Sequence, residues 1–159
     1  GCPLFPSLCL PEGLQSPQGA ARCSPRPSSP WVLNFRDFPD SFLTLAALSP
    51  LIRRPLILEG LAHTRTKESD RIAAAAHNLE ALGQRLKVNS DSLRLWPSPL
   101  RPASLNCFGD HRVAMAFATL GAYDLYGNQQ PWLYLDTPEC CQKSFPGFFH
   151  QGPLRLTPR

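Results

Sequence analysis

Three short clusters bring together side chains that can hold anions. Lys67-Glu68-Ser69-Asp70-Arg71 sets two cations and two carboxylates within five residues. Asp110-His111-Arg112 repeats the mixture, and Lys143 stands just before Ser144-Phe145-Pro146-Gly147-Phe148-Phe149. Arginine presents a planar fork of donors that matches carboxylate or phosphate oxygens in pairs, whereas lysine is a mobile point charge. A site assembled from all three clusters favours a small, multiply charged anion. Taken singly, each also fits a plainer description: a solvated i,i+4 charge set, an Asp cap beside a surface Arg, and a lysine stem lying along an aromatic anchor.

The clusters need elements to hold them. From Thr66 to Leu82 apolar residues recur at 72, 75, 76, 79 and 82, which predicts a helix with Gly83 as its left-handed stop. On that reading Lys67, Glu68 and Arg71 share one face of the first turn, beside free N–H groups and the positive end of the helix dipole. Asp110 heads a second helix, with Val113, Ala116, Phe117 and Leu120 on one face and Gly127-Asn128 at its end. Asp40 is the expected N-cap of a shorter helix closed by Pro50, with Phe42, Leu45, Ala46 and Ser49 on a shared face. Leu56 to Gly60 reads as a strand, and Leu86-Lys87-Val88 with Leu93-Arg94-Leu95 as a hairpin around Asn89-Ser90-Asp91. Residues 97 to 104 read as Pro-rich loop, and Leu105 to Phe108 and Trp132 to Asp136 as short strands. Helix and strand in alternation make an α/β domain, without a detectable tandem repeat.

Composition narrows the function classes. The 159 residues suit one core. Net charge is +4 and scattered, with no Lys/Arg block, so no nucleic-acid footprint is expected. No apolar run approaches the ~18 residues of a membrane-spanning helix. Eighteen prolines are uneven, seven of them within residues 1 to 30, together with Cys2, Cys9 and Cys23 and only three charged residues. That opening stretch reads as an irregular, non-native or disordered segment. The six cysteines form no C-x-x-C pair and no zinc spacing, so no metal site is expected. Cys107 reads as a small buried apolar residue, and reduced thiols point to a cytosol-like compartment.

In their order along the chain, these motifs resemble those of the 5-enolpyruvylshikimate-3-phosphate synthases, or 3-phosphoshikimate 1-carboxyvinyltransferases. Phe38-Pro39-Asp40 before an apolar helix is similar to the family's segment with its catalytic Asp. Arg65-Thr66-Lys67-Glu68-Ser69-Asp70-Arg71 resembles its Arg-x-Lys-Glu-x-Asp-Arg signature. Asp110-His111-Arg112-Val113-Ala114-Met115-Ala116 resembles its Asp-His-Arg helix start, and Cys141-Gln142-Lys143-Ser144-Phe145-Pro146 its closing Lys-Ser/Thr-Phe-Pro motif. The resemblance covers residues 31 to 150, the C-terminal part of a family chain, and leaves 151 to 159 as a tail.

The resemblance implies an inside-out α/β fold of β-α-β-α-β-β units with central helices, here only partly present. It implies transfer of the enolpyruvyl group of phosphoenolpyruvate to the 5-hydroxyl of shikimate 3-phosphate, on the shikimate route to chorismate and aromatic amino acids, without metal or organic cofactor. Carried over residue by residue, Asp40 orients and deprotonates the shikimate hydroxyl and Glu68 protonates the methylene carbon of phosphoenolpyruvate. Lys67 contacts hydroxyl and intermediate, Arg71, Arg112 and Lys143 hold the phosphoenolpyruvate anions, and His111 neighbours that site. The implied partners are the two small substrates, not nucleic acid or membrane, in the cytoplasm or a plastid. Two departures stand out: His63 where the family commonly has an Asn that contacts the shikimate phosphate, and Gly109 where a polar residue is usual. The family's N-terminal substrate contacts have no counterpart in residues 1 to 30, so an N-terminal domain is expected to be needed to complete the cleft. A non-catalytic anion-binding fragment is the rival reading. UDP-N-acetylglucosamine enolpyruvyl transferases share the fold but lack the Lys-Glu-Ser-Asp-Arg pattern.

Overall fold

In a computed structural model, which describes residues 29–52 and 54–150, strands and helices alternate. Their order is β1 (Trp31–Asn34), α1 (Phe42–Leu48), β2 (Leu56–Glu59), α2 (Arg71–Ala81), β3 (Arg85–Val88), β4 (Ser92–Trp96), β5 (Ala103–Leu105), α3 (His111–Gly121) and β6 (Leu133–Leu135). The first six elements run β-α-β-α-β-β in full, and β5-α3-β6 supplies the opening half of a second such unit. The expected segment 1 to 30 lies outside the described residues except for its last two positions, and the tail 151 to 159 lies outside them altogether.

The first sheet has the order β1-β2-β4-β3. β1 pairs parallel to β2, and β4 is antiparallel to both β2 and β3. Period-two alternation turns Leu56 and Leu58 of β2 and Leu93 and Leu95 of β4 to one face, where all four are buried. Against that face pack Phe42, Leu43, Ala46 and Ala47 of α1, and Ile72, Ala75, Ala76 and Leu79 of α2. Val113, Ala116, Phe117 and Leu120 of α3 complete the same apolar cluster. The helices are therefore central and the sheet lies outside them. Burial of this apolar area is the main favourable term in the fold. Among the described residues no helix is long and apolar enough to cross a membrane.

Two features fix how the site-bearing segments leave the sheet. Gly60 ends β2 at φ +74, and a Cβ there would lie 2.6 Å from Asn34 Oδ1 and 2.9 Å from the Arg36 nitrogen. Only glycine admits both the left-handed backbone and that close approach. At the other end of α2, Gly83 takes φ +87, and its N–H donates to the Glu80 carbonyl at 2.9 Å, the stop that the sequence places there. Arg101 covers two more carbonyls of that helix end, Ala81 at 2.9 Å and Glu80 at 3.2 Å. The buried Asn78 then ties α2 to the residue that follows β5, accepting from the Asn106 N–H at 3.0 Å and donating to its carbonyl at 2.9 Å.

Several boundaries differ from those expected. α2 begins at Arg71 rather than Thr66, because the Asp70 carboxylate accepts the Ala73 N–H at 3.1 Å and caps the helix there. Residues Ala62–Thr66 form a 3-10 turn and Lys67 is extended. Lys67 and Glu68 therefore do not share a helical turn with Arg71. Asp40 does not cap α1: it lies in the 3-10 turn Pro39–Ser41, and Ser41 holds the N-cap place. Guanidinium groups offer that carboxylate stronger, charge-assisted partners. α3 stops at Gly121, well before Gly127, and beyond it the Asp124 carboxylate draws the Asn128 and Gln129 N–H groups into a turn at 3.2 and 3.1 Å. β5 lies earlier than expected, at Ala103–Leu105, and Phe108 and Gly109 both take positive φ (53° and 65°) to turn the chain into α3. β1 itself escapes a sequence reading, since Trp31-Val32-Leu33-Asn34 shows no apolar alternation.

Candidate functional site

The starts of the helices converge. Asp110 is the N-cap of α3, is fully buried, and accepts the Arg112 N–H at 2.9 Å. The same carboxylate takes Arg71 Nε at 2.8 Å, Arg71 Nη2 at 3.4 Å and the Ser69 hydroxyl at 3.1 Å. Arg71 is the first residue of α2, so one buried ion pair joins the starts of two helices. Its remaining side, through Nη1, meets Asp40 Oδ1 at 2.6 Å. Arg112 Nη2 reaches the other oxygen of Asp40 at 3.1 Å. Asp40 is thereby held by two guanidinium groups.

A second group of polar contacts lies alongside. Glu68 Oε2 meets His111 Nδ1 at 3.0 Å, and Glu68 Oε1 meets Lys143 Nζ at 2.9 Å. His111 follows Asp110 directly in the chain, so the two groups are contiguous. Lys143 arrives from the 3-10 turn Pro138–Lys143, which is seated by buried Cys141 against Cys107 and Ala114. Of the six residues singled out in the sequence, Asp40, Arg71, Arg112, Glu68 and Lys143 belong to this continuous set of charges. Lys67 is exposed and, among the described residues, makes no ion pair. His63 is likewise exposed. Spacing could not have shown the part played by Asp110, because its partners Ser69 and Arg71 lie some forty residues away in the chain.

Exposure separates the cations into two kinds. The Arg71 side chain is 4% exposed, locked between two carboxylates. Arg112 and Lys143 are 43% and 51% exposed and face solvent. An incoming anion therefore meets Arg112 and Lys143 first. The Glu68, Asp110 and His111 ligand atoms lie within 4.8 Å of one another. Each carboxylate there already accepts from cationic or hydroxyl donors, so a divalent ion would have to displace Arg71 or Lys143, and the donor set does not favour one.

The environment moves several protonation equilibria. Burial pushes the Asp110 carboxyl up, but the Arg71 guanidinium and the Arg112 N–H outweigh it and hold the group below the usual aspartate range. Burial likewise opposes Glu68, and the Lys143 and His111 contacts bring it below the ordinary glutamate value. Arg71, despite burial, is raised by Asp110 and Asp40. Burial pushes the Cys107 thiol up to about 12 and Cys140 to about 11. Both thiols stay protonated near neutrality, and Cys107 behaves as the small buried residue expected of it. Among the described residues the three cysteines are free.

A pH dependence follows from these directions. A carboxyl whose folded pKa lies below its unfolded value stabilises the fold above the unfolded value and loses that contribution as pH falls through the folded one. Asp110, with Glu68 adding less because it is exposed, makes the melting temperature insensitive to these groups from about pH 7 to 5, with a decline below about pH 4. Thermal melts across that range check this. Asp110→Asn should flatten the acid limb, and an unchanged limb would show that other groups control it.

The chain as a whole is similar to known proteins. The family model described as EPSP synthase (3-phosphoshikimate 1-carboxyvinyltransferase) matches residues 15–151. A relative from Opitutus terrae, named 3-phosphoshikimate 1-carboxyvinyltransferase, is 47% identical over 117 residues, covering 73% of this chain and 27% of the relative. One of the same name from Methanoculleus marisnigri is 40% identical over 111 residues, 70% of this chain and 25% of the relative. An EPSP synthase structure from Acinetobacter baumannii superposes with a TM-score of 0.55 at 25% identity, covering 69% of this chain and 25% of that one. The chain thus spans about a quarter of the length of the curated relatives it matches.

Proposed function

The chain belongs to the EPSP synthase family, and from that premise we propose that it supplies one wall of an enolpyruvyl transferase cleft for phosphoenolpyruvate and shikimate 3-phosphate. The remainder of the cleft comes from the part of the relatives that lies outside this chain's match. The observation that carries the reading is the continuous set of charges from Lys143 through Glu68 and His111 to Asp110, Arg71, Arg112 and Asp40.

Phosphoenolpyruvate carries a planar carboxylate and a multiply charged phosphate. The Arg112 fork and the Lys143 ammonium offer those anions charge-assisted hydrogen bonds, and Arg71 joins them where Asp40 gives way. Lys67, exposed beside Glu68, reaches the hydroxyl and the intermediate. In the addition step Asp40 takes the proton of the 5-hydroxyl, the oxygen bonds to the central carbon of phosphoenolpyruvate, and Glu68 delivers a proton to the methylene carbon. Elimination returns a proton from the former methylene carbon to Glu68, re-forms the carbon–carbon double bond and breaks the bond between the central carbon and the phosphate oxygen, which leaves as inorganic phosphate. A general acid needs a proton, and the Lys143 contact works against one on Glu68. An arriving anion that draws Lys143 away, and adds negative potential of its own, pushes the Glu68 carboxyl up. The acid then carries its proton only when substrate is present.

The test is complementation. The chain is mixed with the remaining part of the Opitutus terrae relative, separately expressed, and inorganic phosphate release is followed with both substrates. Release that needs both proteins and both substrates is the expected result. Because the chain spans about a quarter of its relatives, a second reading stands beside it, a domain that binds anions without turnover. Calorimetric binding of phosphoenolpyruvate without phosphate release would favour that one. Neither binding nor release would overturn both.

A further inference from the structure

We propose that Arg65 is a positioning residue for Glu68, closing the segment from Arg65 to Asp70 into a fastened loop that presents the Glu68 carboxylate to His111 and Lys143. The proposal rests on the preceding reading only for what Glu68 does in the reaction; the geometry stands apart from it.

Lys67, Glu68 and Ser69 belong to neither helix nor strand, yet Glu68 makes two directed contacts, at 2.9 and 3.0 Å. Something must hold so short a stretch of chain in register. Its downstream end is fixed by Asp70, the cap of α2. Its upstream end is fixed by Arg65, whose Nη1 meets Asp70 Oδ2 at 2.6 Å, so that one ion pair ties the two ends together. The other edge of the same guanidinium takes two successive carbonyls of the β3–β4 hairpin tip, Asn89 through Nη2 at 2.7 Å and Ser90 through Nε at 3.0 Å. The next hairpin residue continues the seam. The Asp91 carboxylate accepts the Ala62 N–H at 2.6 Å and its carbonyl the Leu61 N–H at 3.1 Å. The rigid hairpin thus acts as a template, and Arg65 transmits its position to the loop.

The chemistry of arginine is needed here. Three acceptors in two directions are met by one planar fork, which a lysine ammonium at the end of a flexible stem cannot reproduce. The pair is also partly exposed, with Arg65 at 29% and Asp70 at 38%, so its contribution to stability is small. Its work is geometric, and the protein should fold without it.

The test uses the full 159-residue chain labelled at the glutamate side-chain carboxyls, with two readouts: the carboxyl titration of Glu68 by NMR and amide exchange at Glu68 and Ser69. In Arg65→Ala the Glu68 titration should move up toward the ordinary glutamate value as the Lys143 and His111 contacts are lost. Exchange at the two amides should speed at least about tenfold while core amides stay protected. Arg65→Lys should fail to restore either. Asp70→Asn, which keeps a capping side chain but removes the charge that closes the loop, should shift both in the same direction. Arg85→Ala, an exposed arginine on β3 outside the seam, should move neither. A Glu68 titration and loop exchange that match the wild type in a folded Arg65→Ala or Asp70→Asn protein would overturn the proposal. If both of those variants fail to fold, the small stability role argued above is wrong and the proposal falls with it. Absence of phosphate release from the complemented pair would overturn the enzymatic reading and leave these two readouts untouched.

Discussion

Asp110→Ala should destabilise the domain by about 3–5 kcal/mol, the cost typical of removing one partner from a buried ion pair. The side chain is fully buried and accepts from Arg71, Ser69 and the Arg112 N–H. Its loss removes the cap of α3, worth about 1 kcal/mol by itself, and leaves Arg71 with only the partly exposed Asp40 as counter-charge. For a chain of this size the melting temperature should fall by roughly 6–20 °C. Asp110→Asn, which can still cap, should lose less. Thermal or urea unfolding of the two variants checks the order. If Asp110→Ala melts within a degree or two of the wild type, the junction of the two helix starts is held by apolar packing alone. The double variant Asp110→Ala/Arg71→Met should recover part of the loss, because the stranded charge is gone as well.

In the complemented pair, Glu68→Gln should lower turnover by about 10²–10⁴-fold, the usual contribution of a positioned general acid. Glutamine keeps the size and one acceptor oxygen but cannot deliver the proton. Affinity for phosphoenolpyruvate should hold or rise, since Lys143 loses the carboxylate that competes for it. Rate and affinity therefore separate, and that separation distinguishes lost proton transfer from a collapsed site. Steady-state phosphate release across a range of phosphoenolpyruvate concentrations measures both. Turnover at the wild-type level would take Glu68 out of the chemistry.

The parts of this architecture that sequence makes legible are those governed by local rules. Gly83 marks the end of α2 because a left-handed stop needs glycine, and the alternation around Asn89-Ser90-Asp91 yields the hairpin, whose register the structure then gives as Leu86 opposite Leu95 and Val88 opposite Leu93. Asp110 caps α3 because the carboxylate stands three residues ahead of the apolar period that opens at Val113. The start of α2 is a different matter. Thr66, Ser69 and Asp70 are all cap-forming residue types; Asp70 serves, one oxygen accepting the Ala73 N–H and the other meeting Arg65, which is itself bonded to a hairpin tip twenty-four residues away in the chain. The same holds for the site. Charged residues in three clusters can be read off the chain, but the pairing of Glu68 with His111, forty-three residues on, and of Asp40 with both arginines is a product of packing. β1 is hidden for a related reason: an edge strand with Trp31, Val32 and Leu33 exposed has no buried face to impress a period on its sequence.

The double hold on Asp40 bears on selectivity. Arg71 and Arg112 already satisfy one oxygen each of that carboxylate, so an anion that engages both arginines does so by substitution. Its net gain is the difference between what it offers the two forks and what Asp40 offered them. A halide, with no directed lone-pair pattern and a single charge centre, replaces two oriented oxygens poorly and gains almost nothing. A group with several oxygens on one planar or tetrahedral centre can match both forks at once and still reach Lys143. The internal carboxylate thus sets a threshold that any anion must exceed to engage both arginines, and discrimination on this basis would come from a competitor built into the chain rather than from the shape of a pocket.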